Sequence, residues 1–254
     1  MSKIALITGA TAGFGQATAR ILAQNGFDII ITGRRNERLL SLKNDLVAAH
    51  KIKVHTLCFD VRDNSAVEKS LNSLPDEWKS IDVLINNAGL AAGFSTIDNG
   101  NIDDWEKMID TNVKGLLYVS RVILPWMKAK KSGHVINIGS IAGKETYRFG
   151  NVYCATKHAV DSLTKAMRID LLPFNIKVTG ICPGAAETEF SLVRYNGDAE
   201  KAKSVYQGFI PLLAQDIAEI VLFAISRPAN VNLNDIVVTP TAQANTFYME
   251  KESN

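Results

Sequence analysis

The chain has few cysteines, almost no charge imbalance and no long apolar run, and each shortage excludes a class of protein. Cys58, Cys154 and Cys182 are odd in number, widely spaced and without a CxxC pair. They read as reduced residues of a cytoplasmic protein, neither a disulfide frame nor a metal site. His50, His55, His134 and His158 also lack metal-ligand spacing, so no metal is expected. With 28 basic against 26 acidic residues the formal charge is +2, too near neutral to make nucleic acid an expected partner. No stretch approaches the roughly 18 apolar residues that a spanning helix needs, so no membrane partner is expected. The opening apolar run, Ile4 to Ile7, is too short for a signal peptide and reads as a first strand. Internal repeats, low-complexity tracts and Pro/Gly/Ser linkers are missing too, and residues 1–254 read as one domain.

What is present is a core. Hydrophobic residues make up 46% and charged residues 21% of the 254 residues, the balance of a globular protein. Ile4–Thr8, Phe27–Thr32, Lys53–Phe59, Val83–Asn86, His134–Ile138, Lys177–Ile181 and Ile236–Thr239 are continuous apolar runs. Strands covered on both faces of a parallel sheet look like this. Helix-length segments lie between them, near Gly15–Asn25, Asn36–His50, Ser65–Ser73, Asp103–Lys131, Val152–Leu172 and Asp216–Ser226. The alternation predicts an α/β fold of Rossmann type, a doubly wound seven-stranded parallel sheet with helices on both faces. The loosest stretch, 187–215, reads as a mobile lid over a site rather than a second domain.

The first strand runs into Thr8-Gly9-Ala10-Thr11-Ala12-Gly13-Phe14-Gly15 and then a helix. Glycines there allow a tight turn and a close approach to a pyrophosphate, which the helix N-terminus attracts. Three glycines alone are weak evidence; a strand before them and a helix after them supply the context that makes the motif a dinucleotide loop. The second strand ends in Thr32-Gly33-Arg34-Arg35, with no acid before Glu37. An acid would repel a 2′-phosphate, whereas a guanidinium grips it, so the expected cofactor is NADP(H).

Further motifs follow in order: Asp60-Val61, Asn86-Asn87-Ala88-Gly89, Asn112, Ser140, Tyr153 with Lys157, and Pro183-Gly184 leading to Thr188. With the loop pattern TGxxxGxG they resemble the short-chain dehydrogenase/reductase family over nearly the whole chain. Gly150-Asn151-Val152-Tyr153, Thr188–Arg194, Asn230-Val231-Asn232 and the tail after Pro240-Thr241-Ala242-Gln243 resemble its bacterial NADP-dependent 3-hydroxy acid (serine) dehydrogenase branch. Sulfoacetaldehyde reductases are similar in the same segments, and Arg148 departs from the serine enzymes. The resemblance implies cofactor contacts from Gly9, Thr11, Gly13, Phe14, Gly15, Arg34, Arg35, Asp60, Val61, Asn87, Ala88 and Gly89. It adds Tyr153, Lys157, Pro183, Gly184 and Thr188 on the nicotinamide side.

The chemistry needs a proton donor beside the hydride. Tyr153 is the candidate acid, or base in oxidation, but a free phenol titrates near 10. Lowering it to about 7 takes roughly 4 kcal/mol. An ammonium about 4 Å away supplies that at an effective dielectric of about 20. Lys157 lies one helical turn on, on the same face. Ser140 closes its strand and can donate to the substrate oxygen. The resemblance implies that Asn112 supports a water relay to Lys157, and that Lys157 also binds the nicotinamide ribose. Taken singly, Tyr153 and Lys157 could be a chance spacing, Asn112 a packing residue, Ser140 a turn and Cys154 simply core. Taken together and in order Ser140, Tyr153, Lys157 and Asn112 read as a catalytic set, while Cys154 reads as packing.

The expected substrate is small and anionic, held by Ser140 and Tyr153 with Arg148, Arg194 or Gln243. The reading is a hydroxy acid such as serine, interconverted with its carbonyl. The alternatives are a sulfoacetaldehyde or general carbonyl reductase and, from another class, a non-catalytic NADP-binding regulator. A nucleotide-sugar epimerase would need a larger C-terminal domain than the residues after Pro183 provide. The apolar stripe Leu116, Leu117, Val119, Val122, Ile123 leaves two readings open, core packing or a homo-oligomer, and the resemblance implies a dimer or tetramer.

Overall fold

Alternate residues of a strand point to opposite faces, and in this chain both faces are buried. A computed structural model describes residues 2–195 and 197–251. On the first strand, Leu6 packs with Ile30, Leu84, Val135 and Val178 in one core layer. Its neighbours Ala5 and Ile7 pack with Ile29, Ile31, Ile85 and Ile136 in the other. Such residues contribute about 1.5–3 kcal/mol each when fully buried, which is why the runs are apolar without alternation.

The main sheet contains β1 (Ile4–Ile7), β2 (Asp28–Gly33), β3 (Val54–Cys58), β4 (Val83–Asn86), β5 (Gly133–Ile138) and β6 (Ile176–Pro183). A separate two-residue ladder, β7 (Ala186–Glu187) with β8 (Leu212–Leu213), precedes the last strand, β9 (Asp235–Val238). The seven strands run parallel in the order β3-β2-β1-β4-β5-β6-β9. The order reverses between β1 and β4, and a crevice opens at that switch point beyond the strands' carboxyl ends. The sheet is the one expected, with strand ends shifted by two residues at most.

The helices are α1 (Gly13–Gln24), α2 (Asn36–Ala49), α3 (Asn64–Asn72), the single turn α4 (Asp76–Lys79) and α5 (Ile102–Ile109). They continue with α6 (Gly115–Lys130), α7 (Asn151–Leu171), α8 (Glu189–Arg194), α9 (Ala199–Ser204) and α10 (Ala214–Ile225). Side chains of α1, α2 and α10 cover one face of the sheet; those of α3, α6 and α7 cover the other. The helix expected over Asp103–Lys131 is interrupted by a π-helical turn at Asp110–Lys114. Widened turns of this kind cluster at functional sites. The turn is followed by Gly115, where a Cβ would lie 2.7 Å from Val61 Cγ2. The stretch 187–215 folds into β7, α8, α9 and β8 rather than a structureless insertion. Leu116, Val119 and Ile123 of the apolar stripe are buried within this chain. Core packing therefore accounts for most of that stripe.

His134, near the start of β5, is buried and shares a 2.8 Å hydrogen bond with the Thr179 hydroxyl. Its Nδ1 finds no partner among the described residues. Burial, helped by Lys177, pushes its pKa down to about 3. Between pH 6.5 and about 3 only the unfolded chain takes up this proton, so stability present above pH 6.5 is lost as pH falls. The expected loss from this residue is about 2–3 kcal/mol between pH 6.5 and 4.5. Urea unfolding at both pH values should show a smaller loss for His134→Gln, and equal losses would contradict the assignment.

Candidate active site

At the switch point the ends of β1 and β4 are locked together. Thr8 Oγ1 accepts from the backbone N–H groups of Asn87 and Ala88, both at 3.0 Å. Asn87 Nδ2 donates to the carbonyls of Thr8 and Gly9. Gly9 has φ +67°, and a Cβ there would lie 3.0 Å from Ala88 Cα. Gly15 does not face the cavity. A Cβ on it would come within 2.5 Å of Gly9 O and Asn87 Nδ2, so this glycine lets α1 approach the strand ends.

A cavity of about 500 Å³ extends from this loop across the strand ends, within the range of cofactor sites. Of the expected cofactor residues, all except Gly15 line it. No side chain caps α1, whose first residues, Gly13 and Phe14, form part of the wall. Uncapped N–H groups beside side-chain-free backbone form a cradle that fits a pyrophosphate. Arg35 Nε and Nη2 donate to Thr11 Oγ1 at 3.1 and 2.9 Å, and its Nη1 donates to Glu189 at 2.9 Å. Arg38 donates to the other oxygen of Glu189 at 2.7 Å. Arg34 lies 3.7 Å from Asp60, which also takes two bonds from the Arg62 guanidinium. Burial pushes the Asp60 pKa up, but the bonds and charges of Arg62 and Arg34 outweigh it and leave it lowered.

At the other end of the cavity stand Ser140, Tyr153 and Lys157. Ser140 follows β5 and accepts from the Ala142 N–H at 3.1 Å. Lys157, one turn beyond Tyr153 on α7, is 6% exposed and donates to Ile138 O at 2.9 Å. Burial lowers its pKa to about 8. Its Nζ lies 6.0 Å from the Tyr153 ring centre.

Tyr153 departs from expectation. Burial pushes its phenol above the ordinary value, and the neighbouring phenol of Tyr147 adds to this. The Ser140 hydroxyl and the Arg194 guanidinium pull the other way without prevailing. Desolvation is the largest of these effects.

Asn112 sits in the π turn, buried behind the cavity rather than lining it. Its Oδ1 accepts from Leu90 N–H, and its Nδ2 donates to Leu90 O and Thr156 Oγ1. The side chain thus ties the loop following β4 to α7. Arg148 does not line the cavity. It is exposed, 4.5 Å over the Phe149 ring, at a turn where Phe149 takes φ +65°. Arg194 does line the cavity. Its guanidinium sits 4.9, 5.5 and 5.9 Å from the rings of Phe94, Tyr147 and Tyr153. Its buried Nε has no hydrogen-bond partner among the described residues. Gln243 reaches the cavity from the tail, accepting from Ala185 N–H at 2.8 Å through Oε1. Thr188 caps α8 by accepting from Phe190 N–H, and Pro183 O lies 3.4 Å from Ser140 Oγ. Among the described residues no group of three or more His, Cys, Asp or Glu is placed to hold a metal.

Residues 3–196 match the model of the short chain dehydrogenase family. The chain belongs to that family. An NADP-dependent 3-hydroxy acid dehydrogenase, YdfG, of Salmonella typhi is 47% identical over 242 residues, covering 95% of this chain and 96% of the relative. Sulfoacetaldehyde reductase 2 of Chromohalobacter salexigens is 43% identical over 245 residues, 96% of each chain. The closed form of a serine dehydrogenase complexed with NADP+ superposes with a TM-score of 0.91 at 44% identity, covering 98% of this chain and all of that one. The short-chain dehydrogenase site also contains residues that sequence reasoning passed over. Tyr147, Phe190 and Glu189 all line the cavity, and Phe190 meets the Tyr153 ring edge-on at 5.6 Å. Glu189 and Phe190 lie within a segment used for the resemblance, yet nothing in their spacing marks them.

Proposed function

We propose that the chain is an NADP(H)-dependent oxidoreductase interconverting a short hydroxy acid, a 3-hydroxy acid such as serine, with its carbonyl. The observation that carries this reading is one cavity with a phosphate cradle at one end and Ser140, Tyr153, Lys157 and Arg194 at the other. The NADP-dependent relatives and the serine dehydrogenase fold support it. When bound, the coenzyme supplies or takes up the hydride. Gly9, Gly13 and the start of α1 hold its pyrophosphate, Arg34 and Arg35 its 2′-phosphate, and Asp60 and Val61 its adenine side.

Tyr153 gives its proton to the carbonyl oxygen in reduction and recovers it in oxidation. Burial keeps this phenol protonated at neutral pH, which is the form that donates. The Ser140 hydroxyl donates to the same oxygen as charge develops there. Lys157, anchored by Ile138 O, holds positive charge behind the phenol and steadies the phenolate left after transfer. Asn112 positions the wall formed by Leu90. Residues 187–215 act as a lid, closing Phe190, Val193 and Tyr206 over the substrate and excluding water.

Arg194 takes the substrate's anionic group. Its guanidinium lies over the rings of Phe94, Tyr147 and Tyr153 with donor capacity left over at Nε, which suits a carboxylate or sulfonate. Gln243 lines the same cavity and has an amide nitrogen to donate. The test compares oxidation of serine, 3-hydroxypropionate, isethionate and a simple alcohol with saturating NADP+. Arg194→Ala should lower kcat/KM for the acids by about 10²-fold and leave the alcohol within about threefold, since a charge-assisted bond contributes about 1.5–3 kcal/mol. An unchanged preference for acids would remove Arg194 from this role.

A further inference from the structure

The cationic ground expected to receive a 2′-phosphate already has an anion of the chain's own in it. Arg35 projects from the end of β2 into the cavity wall, and Arg38 follows one turn into α2. Both guanidinium groups donate to Glu189, one to each carboxylate oxygen, at 2.9 and 2.7 Å. Glu189 is the first residue of α8, so the contact spans more than 150 positions of sequence and fastens the lid segment to the adenosine end of the site. Bonds of this charge-assisted, two-pronged kind are also what a phosphate dianion would make with the same donors. Arg35 has its other two donor nitrogens committed to Thr11, leaving Nη1 as the prong turned to the acid.

We propose that Glu189 is a specificity-determining residue that competes with the 2′-phosphate of NADP(H) for Arg35, the cavity-lining arginine it clamps together with Arg38. The proposal rests on the reading of Arg35 as a phosphate partner and goes beyond it. A dianion outbids a single carboxylate for Arg35, so the phosphate displaces Glu189 and α8 is released from β2 and α2. A dinucleotide lacking the phosphate leaves the clamp in place. Because α8 has six residues, with Glu189 first and Arg194 last, release at one end is felt at the substrate's anchor about 8 Å along the same helix. The chain thereby reads the phosphate twice, as a ligand and as the key to its lid.

The test measures binding by calorimetry, using adenosine 2′,5′-bisphosphate and 5′-AMP as probes that differ in the 2′-phosphate alone. Glu189→Gln should tighten the bisphosphate about fivefold to tenfold and leave 5′-AMP within twofold; retained 5′-AMP binding also certifies a folded adenosine end. An unchanged or weakened affinity for the bisphosphate overturns the proposal, since Glu189 would then be neutral or would position the arginines. An equal gain for both probes overturns it as well, pointing to general charge repulsion. Should the unmodified protein fail to prefer the bisphosphate over 5′-AMP, the phosphate site itself is misassigned, a failure distinct from that of the clamp.

Discussion

Tyr153→Phe should reduce turnover by about 10³-fold while changing cofactor affinity by no more than twofold. The proton transferred in the reaction has one well-placed donor, and removing a positioned acid or base costs about 10²–10⁴-fold. The ring that remains still packs against Phe190 and under Arg194, so the cavity keeps its shape. The phenol is also a buried hydroxyl whose proton is held tightly by desolvation. Losing it removes a polar group without opening a void, and folding stability should hold within about 1 kcal/mol. Steady-state kinetics paired with a cofactor fluorescence titration checks both halves. Turnover within tenfold of the parent would transfer the proton role to another group.

Lys157→Met should do the opposite to stability and activity. The folded chain holds this ammonium in the interior with a pKa lowered to about 8, against about 10.5 when unfolded. Between pH 8 and 10.5 the unfolded chain binds a proton that the folded chain has released, so stability rises with pH there. Below pH 8 the full cost of the buried charge is present, about 3 kcal/mol from the size of the shift. Methionine has similar length and no charge, and some of the gain is offset by the Ile138 carbonyl losing its donor. The variant should therefore be more stable by about 1–3 kcal/mol at pH 7, with the advantage vanishing near pH 10.5, while turnover falls by about 10²-fold or more. Denaturant unfolding across pH 7 to 10.5 measures it. A less stable variant at pH 7 would mean that the ammonium is well satisfied where it lies.

The contrast between these residues shows what could be read before any coordinates. Unbroken apolar runs mark the strands, because burial on both faces leaves no alternation in Ile4–Ile7 or Ile29–Ile31. The glycine loop was legible for a local reason, since a tight turn and a close approach both forbid a side chain. Tyr153 and Lys157 were recoverable as a pair because a helix brings position four onto the same face. Their electrostatics were not, for desolvation depends on what the rest of the fold lays over them. Arg148 and Arg194 are both candidates in sequence, with Arg194 the better placed. Arg148 is exposed at the turn before Phe149, and α8 brings Arg194 to the cavity wall. Asn112 was placed in an uninterrupted helix, yet its amide serves Leu90 across a widened turn whose pattern no 3.6-residue period reveals. Glu189 is the extreme case, an ordinary surface acid until β2 and α8 are brought side by side.

The order of the strands has a practical corollary. The cavity lies beyond the carboxyl edge of the sheet, while the turns at Lys131 and Asn175, which lead into β5 and β6, occupy the opposite rim. Dyes, affinity handles or inserted peptides attached at that far rim should report on the molecule's tumbling and folding without disturbing its catalysis.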